Sequence, residues 1–138
     1  MTTPTSTAAG FDVELPISDV SMAVARATIR RVVAFVDDDA ESSFLIAVTE
    51  VLANAVDELE HIGSTDPIVV RVEFGDDAAV SVIDRGRGIT STLTGRPPGP
   101  DRGRGLIVAQ AFVPGIEFHF HGQGTTVRLP LAGFGGVR

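Results

Sequence analysis

Two pairs of strand-like segments, each joined by a short turn containing glycine, constrain the fold of this chain more than any other feature. The turns are Gly75-Asp76-Asp77 and Gly122-Gln123-Gly124, and both follow runs rich in Val, Ile or Phe. The four segments, in chain order, are Ile68–Phe74, Ala78–Ile83, Ile116–His121 and Thr125–Leu131. Turns this short join antiparallel neighbours, so the pattern predicts two hairpins in a largely antiparallel sheet.

Helical periodicity precedes the first hairpin and returns between the two. Apolar residues recur at helical spacing from Val20 to Val36, and the acidic run Asp37–Asp39 ends this helix and caps a second one from about Ala40 to His61. We also predict an edge strand at Phe11–Leu15 and an apolar helix at Leu106–Val113. The order β-α-α-β-β-loop-α-β-β predicts an α+β two-layer sandwich, with a mostly antiparallel mixed sheet and helices on one face.

A chain of 138 residues is expected to form one domain. We predict a disordered tail at residues 1–10, the domain at 11–131 and a C-terminal tail at 132–138. No apolar run approaches the ~20 residues that a membrane span requires, and the first residues lack the basic and apolar regions of a secretory leader. We therefore expect a cytoplasmic protein with no membrane partner.

Two missing residue types exclude several classes of activity. The 11 basic residues are all arginine, so the lysine-containing phosphate loop, the pyridoxal Schiff base and the ordinary protein-kinase fold are excluded. Cysteine is also absent, which excludes a cysteine nucleophile and thiolate metal sites. The net charge of -7 argues against direct binding of nucleic acid by bulk charge.

Glu50 and Asn54 form the first of three polar motifs that could carry chemistry. They are four residues apart in the second predicted helix, so their side chains lie one turn apart on one face. A carboxylate there can accept a proton, and an amide oxygen is a hard ligand suited to Mg²⁺. The spacing also fits a solvated polar stripe that continues through Asp57 and Glu58, and spacing alone leaves both interpretations open.

Glycines accompany the other two motifs. Asp84 ends a predicted strand and precedes Gly86 and Gly88. Its carboxylate can accept a hydrogen bond from an exocyclic amine. An ordinary turn explains this segment equally well. The segment Asp101–Leu106 enters a helix, where free backbone N–H groups and two arginines can bind an anion. The alternative for this third segment is a flexible surface loop whose arginines aid solubility.

Taken together, the motifs resemble the Bergerat-fold ATPase superfamily, which includes gyrase-type ATPases, Hsp90, histidine-kinase catalytic domains and the MutL family. The matching boxes are Glu50-x-x-x-Asn54, Asp84-x-Gly86-x-Gly88, Gly103-x-Gly105-Leu106 and Gly124-Thr125-Thr126. The resemblance covers residues 11–131 and looks most like the anti-sigma-factor serine/threonine kinase branch. The sequence departs from the family pattern at Glu58, where many relatives carry His or an aromatic residue.

The resemblance implies a role for each matching residue. Glu50 would be the catalytic general base, and Asn54 would ligate Mg²⁺. Asp84 would bind the adenine amino group with help from Thr125, and residues 89–102 would form a lid over ATP. The residues implied to shape the base pocket or hold the phosphates are Gly86, Gly88, Arg102, Gly103, Arg104, Gly105 and Leu106.

The resemblance also implies a function. The expected protein is an ATP- and Mg²⁺-dependent serine/threonine kinase that binds a sigma factor and phosphorylates an anti-anti-sigma antagonist, and a homodimer is the family expectation. Two alternatives stay open at this stage. One is a non-catalytic ATP- or ADP-binding module that sequesters a partner protein, and the other is a simple ATPase.

Overall fold

The computed structural model describes residues 5–7, 10–85, 104–121 and 124–138. The helices are α1 (Val20–Val32), α2 (Asp38–His61) and α3 (Arg104–Phe112). The strands are β1 (Thr5–Thr7), β2 (Gly10–Leu15), β3 (Val33–Phe35), β4 (Ile68–Glu73), β5 (Ala79–Asp84), β6 (Glu117–His121), β7 (Gly124–Pro130) and β8 (Gly135–Val137). In these ranges no helix combines the length and the apolar character needed to cross a membrane.

Most of the strands belong to one sheet, in the order β1-β2-β4-β5-β7-β6 among the described residues. Both predicted hairpins are present, because β4 pairs with β5 and β6 pairs with β7, and every pairing described in this sheet is antiparallel. Val72, Val80 and Leu129 lie in register across three strands and are buried against the helices. The predicted two-layer α+β sandwich is therefore confirmed.

Helix α2 is the central element of the helical layer. It contacts α1, α3, β3 and β5, and its buried face includes Phe44, Val48 and Leu52. Asp37 caps it as predicted, since the carboxylate accepts a hydrogen bond from the N–H of Ala40 at 2.7 Å. A capped helix that is buried against four elements is a rigid support for side chains on its remaining face.

The two ends of the chain join the domain, in contrast to the tails predicted from composition. β8 lies within the segment 132–138 and pairs with β3, which also shortens the first helix from the predicted Val36 to Val32. The backbone N–H of Arg138 donates to the oxygen of Val32 at 2.7 Å. Within the segment 1–10, β1 pairs with β2. The pairing of β8 with β3 joins distant residues, so local composition could not reveal it, whereas β1 and β2 are neighbours along the chain.

Paired charges cover the face of the sheet opposite the helices. Arg128 donates to Glu73 at 3.0 Å and to Glu117 at 2.9 Å, while Arg71 binds Asp12 through two N–H groups at 2.7 and 3.0 Å. The hydrogen bonds to Asp12 raise the pKa of Arg71 above its ordinary value. Ion pairs with exposed members add only about 0–1 kcal/mol each, so their main effect is to keep this face polar.

The substitution Phe134→Ala tests whether the C-terminal segment stabilises the domain. The ring of Phe134 lies 5.3 Å from that of the fully buried Phe44, so its loss leaves a gap beside the core. We expect the free energy of unfolding in urea to fall by about 2–4 kcal/mol. The control is Val36→Ala, whose side chain is exposed and whose backbone bond to Phe134 remains. A loss below about 1 kcal/mol for Phe134→Ala would contradict this role of the segment.

Candidate functional site

Glu50 and Asn54 lie at the border between core and solvent on α2. Both are half-buried, while the adjacent Val51 and Ala55 are buried in the core. Glu58, one further turn along the helix, is only 8% exposed. A solvated polar stripe through Asp57 and Glu58 would leave both side chains in water. Asp57 is exposed, but the burial of Glu58 shows that the stripe does not continue through that residue.

Helix α3 begins directly beside Glu50. A Cβ atom at Gly105 would lie 2.8 Å from Oε2 of Glu50 and 3.5 Å from its backbone oxygen, so glycine at residue 105 lets the two helices meet without displacing the Glu50 carboxylate. Leu106 and Ala109 are buried and fix α3 on the core. The first N–H groups of a helix have no partner within the helix and lie at its positive end. The structure therefore brings Glu50 to the N-terminal end of α3.

Asp84 and Thr125 meet at one end of the sheet. They are directly opposite each other on β5 and β7, and both lie on the side that faces the helices. Thr125 is buried and Asp84 is half-buried. A side chain at Gly124 would overlap the backbone oxygen of Asp84, so glycine is required for this close approach of the two strands. The structure thus brings together two of the residues implied to bind adenine.

Helix α2 connects the two halves of the candidate site. It packs against α3, which carries Gly105, and against β5, which ends at Asp84. No group of three or more His, Asp or Glu in the described ranges could hold a metal ion by itself. Mg²⁺ is commonly held by only one or two protein ligands together with water and phosphate oxygens.

Several predicted site residues lie outside the described part of the chain. They are Gly86, Gly88, Arg102 and Gly103, together with the predicted lid at 89–102. Arg104 opens α3, but its side chain also lies outside that part. The predicted site residues that the structure describes in full are Glu50, Asn54, Asp84, Gly105, Leu106 and Thr125.

A groove between α1 and α2 was not anticipated from the sequence. It has a volume of about 310 Å³, and Arg26, Arg30 and Glu41 line it together with Glu50. Nη1 of Arg26 donates a hydrogen bond to the hydroxyl of Thr49 at 3.3 Å, which ties α1 to the residue preceding Glu50. The signal available in the sequence was the spacing of Arg26 and Arg30, which are four residues apart on one helix.

A larger groove, of about 780 Å³, lies at the end of β2 and the start of α1. Its walls are largely apolar, with Leu15, Ile17 and Val20 among them, and it contains none of the predicted site residues. This groove and the predicted site residues therefore lie in different places in the described part of the chain. The candidate site is defined by the predicted polar residues on α2, at the start of α3 and at the ends of β5 and β7, and α2 contacts both α3 and β5.

Comparison with known proteins agrees with this geometry. Residues 15–131 match the family model described as a histidine kinase-like ATPase domain. The crystal structure of the RsbU and RsbW domains of Rv1364c from Mycobacterium tuberculosis is similar, with 22% identity and a TM-score of 0.61, over 88% of this chain and 31% of that one. The chain thus spans about a third of that relative, and no curated protein matches it. The family match covers most of the sequence, and the chain belongs to the histidine kinase-like ATPase domain family.

Proposed function

We propose that this protein is an ATP- and Mg²⁺-dependent serine/threonine kinase of the anti-sigma-factor type. The observation that carries the proposal is the position of Glu50, a carboxylate placed beside the N-terminal end of α3 and at the wall of an open groove. A general base for phosphoryl transfer needs this combination of nearby phosphate-binding groups and access for an acceptor hydroxyl. ATP supplies the phosphoryl group, and Mg²⁺ offsets its negative charge.

The proposed roles follow the chemistry of each side chain. Glu50 accepts the proton of the attacking serine or threonine hydroxyl, and the oxygen of Asn54 is the ligand for Mg²⁺. Asp84 accepts a hydrogen bond from the adenine amino group, and Thr125 supports it from the opposite strand. The remaining residues proposed to bind ATP are Gly86, Gly88, Arg102, Gly103, Arg104, Gly105 and Leu106.

The groove between α1 and α2 supports the choice of a protein as the acceptor. Glu50 is one of the residues that line this open groove, so an acceptor loop lying in it would bring a hydroxyl near the base. Arg26 and Arg30 would give such a loop two forked donors. A plain ATPase with water as its acceptor needs no such groove.

The proposed partners are a sigma factor, which the protein sequesters, and an anti-anti-sigma protein, which it phosphorylates. The similarity to the structure that contains the RsbW domain of Rv1364c supports this choice of regulatory system. We further propose a cytoplasmic homodimer. A module that binds ATP or ADP without transferring phosphate is the competing function, and the experiments below separate it from the kinase.

Calorimetric titration with ATP and Mg²⁺ tests the nucleotide site. We expect the wild type to bind ATP, and Asp84→Asn and Asn54→Ala each to weaken binding at least about tenfold. The first substitution replaces a charged hydrogen-bond acceptor for the adenine amino group by a neutral one, and the second removes the proposed ligand of Mg²⁺. The control is Asp76→Asn, which changes an exposed carboxylate in the turn between β4 and β5. Absence of binding at millimolar ATP would overturn both the kinase and the nucleotide-module proposals.

The substitution Glu50→Ala separates the kinase from a binding module. We expect transfer from labelled ATP to an anti-anti-sigma protein to fall by about 10²–10⁴-fold, because the hydroxyl loses its proton acceptor, while the affinity for ATP changes little. The control is Glu41→Ala, which removes another carboxylate from α2 and from the same groove. Wild-type protein that binds ATP but transfers no phosphate to any anti-anti-sigma protein tested would support the module instead.

The substitution Gly105→Ala tests the contact between α3 and Glu50. The new methyl group would press on Oε2 of Glu50, the movable end of a side chain, so we expect the fold to persist while the carboxylate is displaced. Phosphate transfer should fall at least about tenfold, with a small change in thermal stability. Gly115→Ala is the matched control, because its nearest contact would be the ring of Pro130 at 3.6 Å. Equal transfer by the two variants would show that this contact does not position the base.

A further inference from the structure

Phe120 occupies the strand position next to the proposed adenine site. It lies directly opposite Thr125 in the pairing of β6 with β7, and Thr125 in turn lies opposite Asp84 on β5. Residues in register on adjacent antiparallel strands point to the same face of the sheet. The three side chains therefore form a row across the sheet, on the side that faces the helices.

The exposure of Phe120 is unusual for that side of the sheet. Phe118, two residues earlier on the same face, packs against the hydrophobic core. Phe120 is 45% exposed, so the helical layer covers this face at Phe118 but only partly at the end of the strand. An aromatic ring left partly in water can gain apolar contact from a ligand that binds beside it.

We infer that Phe120 forms one wall of the nucleobase pocket and contributes affinity for the base of the nucleotide. The inference rests on the proposed binding of ATP and adds a residue that the sequence motifs do not include. Asp84 and Phe120 are two strand spacings apart, or about 10 Å between backbones. A purine that donates its amino group to Asp84 and extends along this row of residues would reach toward the ring of Phe120.

The two contacts have different consequences for specificity. A carboxylate acceptor distinguishes adenine, which carries an exocyclic amine, from a base that presents a carbonyl at the same position. An aromatic ring contacts any base, because every base has a π face. Phe120 therefore separates nucleotides from other polyphosphates, and Asp84 selects among the bases.

The sequence allows a direct spectroscopic test. The chain contains no Trp and no Tyr, so Phe120→Trp introduces one indole whose emission reports the proposed contact. We expect ATP with Mg²⁺ to change this emission, and inorganic tripolyphosphate with Mg²⁺ to leave it unchanged. Phe74→Trp is the matched control. Phe74 is 39% exposed and comes directly after the last residue of β4, whereas Asp84 lies near the first residues of that strand. Its emission should respond to neither compound.

Phe120→Ala gives an independent measurement. We expect its affinity for ATP to be at least about fivefold weaker than that of the wild type, the lower end of what an aromatic contact with a base contributes. Its affinity for tripolyphosphate should be unchanged, because that probe has no base. Phe74→Ala should bind both compounds as the wild type does.

Two results would overturn the inference by different routes. If the wild type binds ATP, but Phe120→Ala binds it within about twofold and the Phe120→Trp emission does not change, the base pocket excludes Phe120 while the proposed nucleotide site stands. If the wild type itself binds no ATP, the proposed function fails, and the role of Phe120 fails with it.

Discussion

The packing of α2 between two helices and the sheet is the constraint on which the candidate site depends. Val48, Val51 and Leu52 are buried within one stretch of this helix, so its position over the sheet is fixed from several sides. Glu50 and Asn54 lie on the same turns and are only half-buried. Their relative position is therefore set by the core, and a ligand that binds them meets side chains that are already in place.

Both acidic residues with a proposed role face a glycine. Gly105 allows the first turn of α3 to reach Glu50, and Gly124 allows β7 to approach the backbone of Asp84. A methyl group at residue 105 would press on a movable carboxylate, whereas one at residue 124 would overlap backbone. Gly124, at the proposed adenine site, is thus a requirement of the fold. Gly105, beside Glu50, is a requirement of the proposed chemistry.

The sequence predicted those parts of the structure that depend on neighbouring residues. The hairpins, the cap at Asp37 and the layer arrangement follow from local patterns, and each is present in the structure. β3 and β8 were not predicted, because each is short and is stabilised by a partner about a hundred residues away. The wrong assignment of Val33–Phe35 to a helix has the same cause, since a run of apolar residues fits either structure until its partner is known.

The candidate site was predictable to a similar degree. Spacing placed Glu50 and Asn54 on one helical face. The resemblance suggested that Asp84 and Thr125 act together, and the two residues lie directly opposite each other on β5 and β7. Their approach across β5 and β7 could not be derived from spacing alone, because the two residues are 41 positions apart. The groove lined by Arg26 depends on how α1 packs on α2, which is again a non-local property.

Electrostatics limits how a triphosphate can be held in the proposed site. The chain carries a net charge of -7, and Glu50 and Asp84 add negative charge close to the proposed position of the nucleotide. Arg71 and Arg128 bind carboxylates on the opposite face of the sheet and cannot offset this charge. In the proposed site the compensation comes from the N-terminal end of α3, from Arg102 and Arg104 and from Mg²⁺ at Asn54. Without lysine, binding of the nucleotide depends on these groups acting together, so metal and phosphate binding are linked.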